Sequence, residues 1–174
     1  AAVLRGGGSI SHLAPAWRIL SSSEALLESE RHVNGFLHAA GVEAGYIYTR
    51  HGLRRSKLLS KADDYIGLAR SVIDVLAGDG VESFISYGTL LGAVRDKAFI
   101  AHDDDMDVVY VGNDVQGGLD ERQRVIESLA RAGFVIESKL PLLNVEVSER
   151  GGDVSVDLFP SWRGEGTRYM FKQG

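Results

Sequence analysis

Carboxylates are concentrated in one run of the chain, Asp103-Asp104-Asp105-Met106-Asp107, which leads directly into the apolar Val108-Val109. Side chains alternate between faces in an extended strand, so Asp103, Asp105 and Asp107 project together while Asp104 and Met106 point away. Like charges held this close repel, and a strand entering a core does not tolerate them without compensation. A divalent cation supplies it, and Mg²⁺ (or Mn²⁺) favours a few carboxylates together with waters and substrate phosphates. Two bland readings compete. A solvated acidic loop suits Asp103 and Asp104, and a helix N-terminus would also attract carboxylates, although the β-branched run after Asp107 argues against a helix. An EF-hand counted from Asp103 fails, with Val108 where glycine is needed and Asp114 where glutamate is needed.

Two other features favour the cation. Tyr87-Gly88-Thr89 follows an apolar stretch and precedes a helical one. Glycine there lets backbone approach a ligand, and amides at a helix start suit phosphate. Asp157 stands between Val156 and Leu158 in an otherwise apolar strand, where a lone carboxylate needs a partner. That partner is either an arginine or a cation shared with Asp105 and Asp107.

The elements that must position these residues are legible from periodicity. Ser21 and Glu24 have capping-box spacing and open a helix whose apolar positions include Leu26, Val33, Leu37 and Ala40, with Gly41 as its stop. Tyr46 to Arg55 is short and basic and reads as an exposed loop or edge strand rather than an anion-binding patch. A second helix runs from about Lys61 to Ala77, closed by Gly78 and Gly80. Val81 to Ser86 reads as a strand, Gly88 to Val94 as a short helical turn, Asp105 to Val111 as a central strand, and Leu119 to Ala132 as a third amphipathic helix. Phe134 to Glu137, Leu142 to Val147 and Val154 to Phe159 read as strands, the last two joined by an Arg150–Asp153 hairpin turn. Residues 1–20 read as irregular. The order predicts an α/β (α+β) fold, a small mixed sheet with helices packed on it. Residues 1–60 read as an N-terminal extension with one helix and a basic loop, and 61–174 as the catalytic core.

Composition narrows the class. The chain has 174 residues, 44% hydrophobic and 25% charged, with a net charge of −5, which gives no general basic field for gripping nucleic acid. Without cysteine there are no disulfides, thiolate zinc sites or cysteine nucleophiles. No apolar run approaches bilayer length, and the first twenty residues make a poor signal-peptide core. The expectation is a cytoplasmic protein without a transmembrane segment, compatible with peripheral membrane association. The chain opens on Ala and stops soon after a strand-like stretch, which reads as either a fragment cut short at the C-terminus or a trimmed chain.

The parts together resemble the nucleotidyltransferase superfamily of the polymerase-β type: a glycine and small residue, an acidic pair one residue apart, then a third acid on a later strand. Over Ser86 to Val109, SYGTLLGAVRDKAFIAHDDDMDVV, the chain resembles the LicD/fukutin family, and Val156-Asp157-Leu158-Phe159-Pro160 resembles that family's later acidic strand. The resemblance implies a nucleotidyltransferase-type mixed sheet flanked by helices. It also implies metal-dependent transfer of a phosphate-linked alcohol from a CDP-linked donor to a hydroxyl of a glycan or teichoic-acid-like acceptor. Asp105, Asp107 and Asp157 are then the catalytic and metal-holding acids, with Asp103 as an accessory ligand. Gly88, Thr89, Arg95 and Lys97 would meet the donor. Asp96, Ala98, Ala101 and His102 depart from the family's pattern and leave those acids intact. Two alternatives stay open: transfer of a nucleoside monophosphate to a small molecule or protein, and a non-catalytic glycan- or nucleotide-binding module.

Overall fold

The computed structural model describes residues 23–41, 45–49, 52–55, 57–112, 118–138, 144–163 and 169–170; the irregular stretch expected at 1–20 lies outside them. The described residues form two compact units. One comprises those up to Ser60 together with Ala101–Asp104, and the other comprises Lys61–Ile100 and the residues from Asp105 onward.

In the N-terminal unit, helix α1 (Ser23–Ala39) carries Glu24 in its first turn, a charge that complements the helix dipole. It is followed by strands β1 (Tyr46–Thr49) and β2 (Gly52–Arg55) and the single turn α2 (Lys57–Ser60). The basic segment is thus a two-stranded antiparallel hairpin, with Tyr46 opposite Arg55 and Thr49 opposite Gly52. The face that α1 turns inward is partly polar. Glu30 and Leu37 are buried, while Leu26, Val33 and Ala40 of the expected apolar stripe are only half-buried. The reason is a set of hydrogen bonds. Asn34 Oδ1 accepts from the backbone N–H groups of Gly45 and Tyr46 at 2.8 Å each, and its Nδ2 donates to Tyr46 O at 2.8 Å. Glu30 Oε1 accepts from Tyr48 N at 2.6 Å. Among the described residues β1 pairs with β2 alone, and these bonds satisfy groups on its other edge.

The C-terminal unit is built on α3 (Ala62–Gly78), β3 (Ser83–Ile85), α4 (Tyr87–Arg95), β4 (Asp107–Gly112), α5 (Gly118–Arg131), β5 (Val135–Ser138), β6 (Val145–Ser148), β7 (Ser155–Arg163) and β8 (Tyr169–Met170). The strands lie in the order β3-β4-β7-β6-β5, with β8 pairing to Trp162 and Arg163 of β7. Strands β5, β6 and β7 form the expected antiparallel meander. Their connection to the front of the sheet is parallel, because β7 runs alongside β4 with Asp107 opposite Asp157 and Gly112 opposite Trp162. No helix among the described residues is long and apolar enough to cross a membrane.

Alternation along the strands separates two faces. Val108, Tyr110, Val145, Val147, Val156, Leu158 and Trp162 are buried on one, against the buried Leu68, Val72 and Leu76 of α3 and Val125 and Leu129 of α5. Burying such side chains stabilises by about 1.5–3 kcal/mol each. Asp107 and Asp157 fall on the opposite face.

Two boundaries differ from the sequence reading. The acidic strand starts at Asp107 rather than Asp105, because the β7 ladder begins at Asp107 opposite Asp157 and β3 ends at Ile85, opposite Val108, so neither ladder reaches the preceding residues. The final strand continues past Phe159 to Arg163, since β4 and β8 extend the pairing.

Helix α4 is pinned to the turn that follows it. A Cβ on Gly92 would lie 2.5 Å from Ala98 O and 3.2 Å from Ile100 N, and Gly92 O accepts from Asp96 N at 2.9 Å. Gly67 in α3 has nothing within 4 Å of its Cβ position. Gly92→Ala is expected to destabilise the protein by about 1–3 kcal/mol through forced backbone displacement, whereas Gly67→Ala stabilises it by roughly 0.5–1 kcal/mol. Thermal or denaturant unfolding of the two variants checks the contrast, and equal effects would refute it.

Candidate metal centre

The parallel register is what builds the site. Residues opposite each other in paired strands point to the same face, so Asp107 and Asp157 lie side by side on neighbouring strands. Asp157 N donates to Met106 O at 2.8 Å, which holds the chain just before β4 alongside β7 and brings Asp105 to the same place. Carboxylate oxygens of Asp105, Asp107 and Asp157 all lie within 4.8 Å of one another. Asp107 is only 3% exposed, and Asp105 and Asp157 are half-buried. An all-oxygen anionic set of this kind fits a hard divalent cation such as Mg²⁺ or Mn²⁺, which would relieve the repulsion and leave positions for substrate oxygens.

Helix α4 supports the acids from the side. Asp107 N donates to Thr89 Oγ1 at 2.9 Å, and Ser86 N donates to Asp107 O at 3.0 Å. Both backbone groups of Asp107 are therefore engaged by the segment that opens α4. Thr89 is buried, so its hydroxyl acts on the site through the Asp107 backbone. Tyr87 adopts φ +48°, a left-handed conformation that is costly for a bulky residue. Its ring packs edge-on against Phe159, with centroids 5.4 Å apart. Burial and, secondarily, the nearby Asp107 carboxylate push the Tyr87 phenol up from its ordinary pKa. Gly88, half-buried, lies in the first turn of α4 beside Thr89.

The remaining sequence candidates are distributed more widely. Arg95 is exposed and clamped to its neighbour, donating from Nε to Asp96 Oδ1 at 2.8 Å and from Nη2 to Asp96 Oδ2 at 2.6 Å. Lys97, in the following turn, is exposed with φ +55°. Asp103 is half-buried in the 101–104 segment of the N-terminal unit. In that same segment Asp104 is not the solvated residue that the sequence suggested. Its side chain is 6% exposed, accepts from Thr49 Oγ1 at 3.0 Å and lies 3.6 Å from Arg54 Nε. His102 Nδ1 is 3.2 Å from Glu30 Oε1.

One acid near the triad was not singled out from the sequence. Glu146 is paired with Asp157 across β6 and β7 and sits between the buried Val145 and Val147. The signal was the one that marked Asp157, a lone carboxylate between apolar strand residues.

The family model described as "LicD/FKTN/FKRP, nucleotidyltransferase domain" matches residues 80–173, more than half of the chain. No curated protein sequence matches the chain. Among solved structures, the crystal structure of ANT(2'')-Ia in complex with adenylyl-2''-tobramycin is similar at 17% identity over 61% of this chain and 54% of that one, with a TM-score of 0.45. The solution structure of the antibiotic-resistance factor ANT(2'')-Ia is similar at 17% identity over 63% and 52%, with a TM-score of 0.47. The chain spans about half the length of both.

Thr89→Val removes the acceptor for a buried backbone N–H and is expected to cost about 1–3 kcal/mol, while Thr89→Ser retains the bond and most of the stability. Denaturant unfolding of both variants checks this, and a Val variant as stable as the Ser variant would refute it.

Proposed function

The chain belongs to the LicD/FKTN/FKRP nucleotidyltransferase-domain family, and on that premise we propose that it is a metal-dependent phosphotransferase. The proposed reaction moves a phosphate-linked alcohol (phosphocholine, ribitol phosphate or glycerol phosphate in type) from a CDP-activated donor to a hydroxyl of a cell-surface glycan. Family membership supports a transferase with this fold. The observation that carries the finer reading is the convergence of Asp105, Asp107 and Asp157 within 4.8 Å.

The reaction is an in-line displacement at phosphorus. The acceptor oxygen attacks the phosphorus bearing the alcohol, the bond from that phosphorus to the bridging oxygen breaks, and CMP leaves. A divalent cation bound by the three acids supplies charge neutralisation for the phosphate oxygens and lowers the acceptor hydroxyl's pKa. The rest falls to the protein. The three aspartates orient the donor, and one of them takes the proton of the attacking hydroxyl as the new bond forms. The backbone N–H groups at the start of α4, at Gly88 and Thr89, face the donor phosphates, since a helix start favours anions. Arg95 and Lys97 extend that role to the outer part of the donor. The Arg95 guanidinium must exchange its Asp96 partner to do so, and because both side chains are exposed this exchange is cheap. Asp103 serves as an accessory acid.

Asp105→Ala, Asp107→Ala and Asp157→Ala variants that remain folded are expected to lose Mg²⁺- or Mn²⁺-dependent turnover by roughly 100-fold or more. The measurement is product formation from labelled CDP-linked alcohols, run in parallel with nucleoside triphosphates. Unchanged turnover in any of the three overturns the assignment of that acid. Labelled nucleotide on the acceptor, in place of labelled alcohol phosphate, overturns the donor class.

A further inference from the structure

The acid-bearing face of the sheet carries more charge than the triad. Across four neighbouring strands, Glu137 is opposite Glu146, Glu146 opposite Asp157, and Asp157 opposite Asp107. Directly opposed residues have Cβ atoms about 4.5–5.5 Å apart, and like charges so placed destabilise a sheet. Glu137 is exposed and escapes into water, but Glu146 is half-buried. Its neighbours Val145 and Val147 are buried on the helix-covered face, so alternation commits the Glu146 side chain to the side where Asp157 stands.

The Glu146 head group is also held. Ser155 Oγ donates to Glu146 Oε1, and Ser155 lies on the same strand and the same face as Asp157. In the parallel register the β7 residues before Asp157 lie toward the end at which the chain enters β4 at Asp107. The hydroxyl therefore makes Glu146 lean along β7 toward the end where the chain enters β4. Glu146 is not one of the three acids whose oxygens converge, which leaves it next to the cation site without a ligand's place in it.

We infer that Glu146 is a positioning residue for the cation site. Held by Ser155, its carboxylate keeps Asp157 turned toward Asp105 and Asp107 and adds the negative potential that draws a divalent cation to them. This rests on the reading that those three acids hold the cation, and the experiment separates the two claims.

Mn²⁺ binding is measured by calorimetry on the full chain for wild type, Glu146→Gln, Glu146→Asp, Ser155→Ala and Asp107→Asn. The melting temperature is recorded with and without Mn²⁺. Glu146→Gln keeps the shape and an acceptor for Ser155 but removes the charge, and it is expected to weaken Mn²⁺ binding roughly three- to tenfold and to shrink the Mn²⁺-induced rise in melting temperature. Glu146→Asp restores the charge and is expected to bind within about twofold of wild type. Ser155→Ala keeps the charge but frees its head group, with an expected loss of roughly two- to threefold. It decides the matter if Glu146→Gln does not fold. Wild-type affinity in both Glu146→Gln and Ser155→Ala overturns the inference. So does an equal loss in the Gln and Asp variants with a lowered metal-free melting temperature, because that marks a merely structural residue. Equal Mn²⁺ binding by wild type and Asp107→Asn instead overturns the cation site itself.

Discussion

Two parallel strands set level with each other create the demand that the C-terminal unit meets. With β7 beside β4, Asp107 and Asp157 stand opposite one another on one face, and Asp105 is brought alongside through the Asp157 N to Met106 O bond. Carboxylates so placed repel, and one of them is almost wholly buried. The arrangement persists because the opposite face of the same strands packs a continuous apolar layer against α3 and α5. Each large side chain there contributes more than a pair of like charges across two strands takes away.

Helix α4 adds local control. Its opening segment engages both backbone groups of Asp107 through Thr89 and Ser86, so the strand cannot slide in register without breaking two hydrogen bonds. A one-residue slip of β4 would turn Asp107 into the apolar layer. The close approach at Gly92 ties the far end of the helix to the turn that leads toward the acidic run. The left-handed backbone of Tyr87 is a local cost at the point where the helix meets the acids. Strain of this kind survives where surrounding contacts over-determine it, and here the ring packs on Phe159 of β7.

Neighbouring carboxylates in the acidic run have different tasks. Asp104 accepts from Thr49 and pairs with Arg54 within the N-terminal unit, whereas Asp105 and Asp107 converge with Asp157. The polar inner face of α1 belongs to the same economy of hydrogen bonds: a two-strand hairpin leaves backbone groups open, and Asn34 and Glu30 close them.

Much of this was legible in the residues themselves. Periodicity located the helices and the meander because both depend on local spacing. The acids at 105, 107 and 157 stood out because charge in apolar strand sequence is expensive wherever it lies. The family pattern was equally readable, since it is carried by a contiguous stretch around Gly88 to Asp107. Other features depended on partners distant in the chain. No local spacing says that β7 pairs parallel to β4, that the acidic strand begins only at Asp107, or that Glu146 stands opposite Asp157. Nor does it say that Asp104 is bound by Thr49 and Arg54 instead of water. By itself the sequence determined which residues carry charge and which face of each element they occupy, because both follow from side-chain chemistry and backbone period. Strand order and register were decided by the tertiary structure alone, through long-range packing of the apolar face, and they are what bring the carboxylates together.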